Sequence, residues 1–149
     1  MRRENRTYFC LGYLIFIMSL SAEQGEDQFI KLGHNKYKIQ YHYQTAMRMI
    51  PHGVIDQAKD SIISIYGVDK IISYERSIRI GSNTYGYIAH KGKDGVEIYL
   101  IACSKGNISF VIVSGTCKKG DWRFDLIKLL EISTKELEKN DIHFVGVDV

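Results

Sequence analysis

Five histidines, three cysteines and ten tyrosines are the side chains whose chemistry goes beyond packing. His34, His42, His52, His90 and His143 share no ligand spacing with one another or with a cysteine. Metal sites gather such residues at short, regular intervals. His42 and His90 would meet only on one face of neighbouring strands. They read as surface or hydrogen-bonded imidazoles, and no metal ligand is assigned. Cys103 and Cys117 are the candidate nucleophiles, with His90 as the base. A catalytic thiol needs a lowered pKa and a base within hydrogen-bond reach. Cys103 lies in an apolar run, where burial raises a thiol pKa. Cys117 is better placed, in the loop Thr116–Gly120 just before a helix, where Lys118, Lys119 and the helix N-terminus favour thiolate. A small thiol-dependent enzyme would use Cys117. The chain carries no nucleophile elbow, phosphate loop or dinucleotide glycine pattern. Glu23, Glu26 and Asp27 form a solvated acidic lead-in. No catalytic residue and no cofactor is assigned, and binding is favoured over catalysis.

The tyrosines offer a different chemistry. Tyr37, Tyr41, Tyr43, Tyr85 and Tyr87 recur at alternate positions of strand-like segments, with Tyr74 nearby. Aromatic residues are enriched at interfaces and in ligand pockets. These five are the candidate binding residues. Cross-strand packing inside the sheet is the competing role.

The elements that must position these residues follow from periodicity. Val96–Gly115 reads as a hairpin of two apolar runs about a turn at Ser104-Lys105-Gly106-Asn107. Ile98, Leu100 and Ala102 alternate with Tyr99, Ile101 and Cys103; Phe110 and Ile112 alternate with Val111 and Val113. Both faces are apolar, which predicts a central strand pair covered on both sides. With that turn, Cys117 lies far along the hairpin from Cys103, so both thiols are expected unpaired. Lys36–Tyr43 alternates strictly, with Tyr37, Ile39, Tyr41 and Tyr43 on one face and Lys38, Gln40 and His42 on a wet one. A helix is predicted over Val54–Tyr66, with Ile55, Ala58, Ile62 and Tyr66 facing inward and Gly67 ending it. Lys70–Ile80, with Ile72, Tyr74, Ile78 and Ile80 facing inward, and Thr84–Lys91 pair about the turn Gly81-Ser82-Asn83. A second helix starts at an Asp121 cap, runs on Trp122, Leu126, Leu129, Leu130 and Leu137, keeps Asp125 on the wet side and stops at Asn140. Ile142–Val149 reads as a last short strand. The fold class expected is α+β: an antiparallel β-sheet of about six strands, β-α-β-β-β-β-α-β, with two helices packed on it.

The N-terminus differs in kind. Arg2, Arg3 and Arg6 precede about thirteen mostly apolar residues, Tyr8–Leu20, with small residues at its end, Ser19, Ser21 and Ala22. This is the order of a secretory signal peptide, and the run is shorter than the ~20 residues of a spanning helix. Residues 1–22 are therefore assigned to a leader and 23–149 to one domain. Cleavage fits best after Ser21; an uncleaved anchor and a buried N-terminal segment are the alternatives. Removing the leader lowers Lys+Arg from 20 to 17 and Asp+Glu from 17 to 16, so the formal net charge falls from +3 to +1. The basic character belongs mostly to the leader and does not argue for nucleic acid.

The pair of runs IYLIACSKGNISFVIVSGT, a polar loop and the helix DLIKLLEISTKEL together resemble the PsbP-like superfamily over about residues 30–149. The resemblance lies in element order and hydrophobic pattern. It implies an exported, mostly non-catalytic protein. Members in plants are accessory to photosystem II, a role that does not carry over, and no functional residue carries over either. The expectation is a secreted or periplasmic accessory protein that binds a protein partner of the envelope or a small ligand. Membrane contact would come only through residues 8–20, if they are retained.

Overall fold

The computed structural model describes residues 22–24, 28–44, 51–104 and 109–147. In chain order it forms β1 (Ala22–Gln24), β2 (Gln28–Leu32), β3 (Asn35–Gln44), α1 (Pro51–Tyr66), a 3-10 turn (Val68–Lys70), β4 (Ile71–Ile80), β5 (Asn83–Lys91), β6 (Val96–Cys103), β7 (Ser109–Cys117) and α2 (Trp122–Val147). The seven strands make one sheet in the order β1-β3-β7-β6-β5-β4, with β2 also on β3. Every pairing is antiparallel. The fold class is α+β, and the expected core order β-α-β-β-β-β-α is present. The acidic lead-in adds the two short strands β1 and β2.

The centre of the sheet is the β6–β7 hairpin, because β7 also pairs with the distant β3, from Lys36↔Thr116 to Tyr43↔Ser109. Its two apolar faces are both used. Tyr99, Ile101, Cys103, Phe110 and Ile112 meet α1 through Val54, Ile55, Ala58 and Ile62. Ile98, Leu100, Ala102, Val111 and Val113 meet α2 through Leu126, Leu129 and Leu137. A helix thus lies on each face, and burying such side chains contributes about 1.5–3 kcal/mol apiece. Gly67 ends α1 as expected: its N–H donates to Ile63 O at 3.0 Å, and its φ of 102° suits glycine.

Three local expectations are corrected. In place of the closing strand expected over Ile142–Val149, α2 continues through the described residues to Val147. Asn140 is only mildly unfavourable in a helix, and the first glycine after Gly120 is Gly146, so no effective stop comes sooner. The hairpin register places Cys103 opposite Phe110, whereas a turn at 104–107 puts it opposite Ile108 or its neighbour; residues 105–107 of that predicted turn lie outside the described residues. From Ile108 the offset is two, so every side chain keeps its predicted face. In β4, register shifts occur between Ile71 and Ser73 and between Glu75 and Ile78. Tyr74 therefore faces α1 while Ile78 faces the opposite side, and Ile80, expected to point inward, is exposed. β4 is an edge strand, and such bulges with Arg76 and Arg79 discourage further pairing.

Candidate functional site

A glycine starts the site. Gly115 in β7 is the cross-strand partner of Tyr37 in β3. The Tyr37 ring lies on it so closely that a Cβ there would collide with ring and backbone. Laid flat in this way, Tyr37 reaches α2, where its hydroxyl donates to Asp125 Oδ2 at 2.7 Å. Asn35, two residues earlier on β3, donates from Nδ2 to the same oxygen at 2.7 Å and to Lys119 O at 2.8 Å. Its Oδ1 accepts from Lys118 N at 2.7 Å and Lys119 N at 3.2 Å. Cys117 completes the cluster: its Sγ lies 3.4 Å from Asn35 Nδ2 and 3.6 Å from Lys119 O. Asn35, Tyr37, Cys117 and Asp125 are all buried. The network ties the β2–β3 turn, the loop after β7 and the first turn of α2 into one rigid base.

The electrostatics of this base are protective rather than activating. Burial, then the Asp125 carboxylate, push the Tyr37 phenol above its usual range. Burial raises the Cys117 thiol, Asp125 raises it further, and Tyr37 and Asn35 only partly offset this. The expected activation of Cys117 by a helix N-terminus is therefore overridden. The helix end is also spent: Asp121 Oδ1 accepts from Arg123 N at 3.0 Å, and Asp121 O accepts from Phe124 N and Asp125 N. This confirms the predicted cap. His90 is not beside either thiol. It sits in β5 facing α1, whereas Cys117 faces α2, and Cys103 faces α1 near the far end of β6. Burial pushes Cys103 up to about 12.

Above the network lies a cleft of about 670 Å³ between the β2–β3 turn and the start of α2. Leu32 and Phe124 wall it, Lys31, His34, Lys119 and Lys128 stand around it, and Asn35 and Asp125 form its floor. Its size falls in the range of ligand sites. Phe124 is 59% exposed, and Ile127, one helical turn on, is 55% exposed. Among the described residues that line it, the cleft holds cations and apolar walls and no nucleophile–base pair.

No family model matches the chain, and no curated protein matches it.

The tyrosines predicted as a binding stripe are divided by the fold. Tyr37 and Tyr85 are buried beneath α2, where Tyr85 shares a hydrogen bond with Thr134. Tyr87 is half-buried, its hydroxyl 2.8 Å from Ser73 Oγ. The side chains of Tyr41 and Tyr43 fall outside the described part of the structure. Among those described, Tyr37 alone contributes to the site, from below. His42 and His90 are on strands separated by β7 and β6, so they do not approach. His90 is buried between the rings of Tyr66 and Tyr99, with Nε2 3.0 Å from Glu97 Oε2 and Nδ1 3.0 Å from Lys91 O. Among the described residues no group of His, Cys, Asp and Glu could hold a metal ion. The role of Asp125 was missed, although its position carried a signal. Trp122, Asp125, Leu126 and Leu129 stand at i, i+3, i+4 and i+7, so the acid sits on the apolar stripe. A carboxylate there must be partnered.

Proposed function

We propose that the protein is an exported, non-catalytic binding module that holds a partner in the cleft between the β2–β3 turn and the start of α2. One observation carries this. The polar groups of the cleft floor spend their hydrogen bonds on one another, which leaves the mouth to lysines, apolar side chains and the Asp121 carboxylate that caps α2. Export is supported by the leader-like order of residues 1–22, which lie outside the described residues up to Ala22. Cleavage after Ser21 leaves β1 whole, since β1 begins at Ala22. No helix among the described residues is long and apolar enough to cross a membrane. The resemblance to PsbP-like proteins points the same way.

The test is a photo-crosslinking residue at Phe124, in the full chain expressed in its native cells. A discrete crosslinked partner that survives Cys117→Ala is expected. A phenotype lost in a folded Cys117→Ala protein would instead favour the thiol enzyme. Mass spectrometry of the recovered chain separates a cleaved leader from a retained anchor.

A further inference from the structure

The chemistry of the partner can be taken further, on the basis of that binding function. We propose that the cleft is a docking site for an acidic peptide segment of a partner protein, with an apolar side chain inserted between Leu32 and Phe124 and carboxylates meeting Lys31, Lys119 and Lys128.

Charge sets the sign. Lys31 and Lys119 make no ion pair among the described residues, and Lys128 has an exposed contact of 3.6 Å with Glu131 and lies 5.5 Å over the Phe124 ring. The acids nearby are already committed. Asp121 caps α2 and lies 3.7 Å from Arg123, and Asp125 is turned into the buried network. Lys31, Lys119 and Lys128 outnumber Asp121, the one exposed carboxylate among the described lining residues, so the rim is net positive, in a domain of formal net charge near +1 once the leader is gone. Sequence-distant lysines are gathered by the β3–β7 pairing, so this local charge is invisible in the overall balance.

Shape sets the partner class. A small anion needs only the lysines and the pocket floor. The exposed apolar surface does not end there: Ile127 continues from Phe124 along α2, outside the cleft. An apolar ridge beside a basic cleft is the pattern of a protein interface, with a buried apolar anchor and a charged rim. The helix N-terminus adds little to anion binding, because the N–H groups of Arg123, Phe124 and Asp125 are already taken by Asp121. The lysines and Phe124 must carry recognition.

The test uses the exported chain and an acetylated, amidated pentapeptide, Glu-Glu-Phe-Glu-Glu, followed by amide chemical shifts. Controls are the same peptide with Gln for Glu, the same with Ala for Phe, decanoate, and inorganic phosphate. Saturable shifts at Lys31, Lys119, Phe124 and Ile127 are expected. Binding should weaken roughly tenfold or more with either peptide control, with Phe124→Ala, and with Lys31→Ala and Lys119→Ala together. It should also weaken as salt rises. All three substitutions are at exposed positions, and thermal unfolding checks that the variants remain folded. Decanoate or phosphate matching the peptide at these residues would overturn the proposal in favour of a small-anion pocket. No saturable shift with the peptide would overturn it outright. If a Phe124 crosslink nevertheless survives in cells, binding at the cleft stands and only the acidic chemistry is wrong; losing both removes the binding function too.

Discussion

Asp125 is the residue through which the helix and the sheet agree. Two donors, from Tyr37 and Asn35, converge on one oxygen that is out of water. Tyr37→Phe keeps the ring on Gly115 and removes one donor. It should cost about 1–3 kcal/mol in denaturant unfolding, because a buried acceptor loses a partner. An unchanged midpoint would mean that water substitutes for the hydroxyl. On the opposite face, Glu97 has its carboxyl held below its usual range by the hydrogen bond from His90. A carboxyl lowered on folding adds stability above its unfolded pKa, and that contribution disappears as pH falls. Wild type should thus exceed Glu97→Gln in stability near neutrality, with the gap closing as pH drops below the ordinary value of 4.5. A gap that stays constant to about pH 3 would show that Glu97 gains nothing from the imidazole.

At the scale of elements, the pairing of β3 with β7 decides most of the architecture, and Gly115 is its most sensitive point. Gly115→Ala places a Cβ where the Tyr37 ring and the Lys36 carbonyl already lie. The ring must move, and its bond to Asp125 goes with it. The expected loss is about 1–3 kcal/mol from overpacking, with the shifts of Asn35 and Lys119 amides disturbed together. The hairpin, both helices and the faces of β6 and β7 were legible in the sequence because alternation and the helical stripe are local signals. The β3–β7 pairing was not, because nothing in Lys36–Tyr43 names its partner. The site was lost with it: Asn35, Cys117 and Asp125 gain a meaning only once that pairing places them together. The tail of α2 failed for a different reason. Ile142–Val149 is β-branched and short, which suits a strand, but it follows a helix with no stop signal before Gly146.

For the whole molecule, the hairpin fixes a chemical property that can be measured on the intact chain. Cys103 is opposite Phe110 and Cys117 is opposite Val96. The two therefore lie on adjacent strands about 23 Å apart along the hairpin, at the usual rise per residue. A disulfide needs Cα atoms within ~7 Å, so none can form without dismantling the centre of the sheet, even in an oxidising compartment. Neither thiol is in a disulfide and both are buried, and burial raises both. The folded protein should react slowly with a thiol reagent at neutral pH and quickly once denatured without reductant. The denatured chain should then show two thiols if the leader has been removed, or three if Cys10 remains. Mass measured on the same sample fixes which of these applies. A chain of leaderless mass with no reactive thiol would mean that Cys103 and Cys117 are bridged. That would break the β6–β7 register, and with it the network beneath the cleft, because Cys117 would be pulled from Asn35 and Asp125.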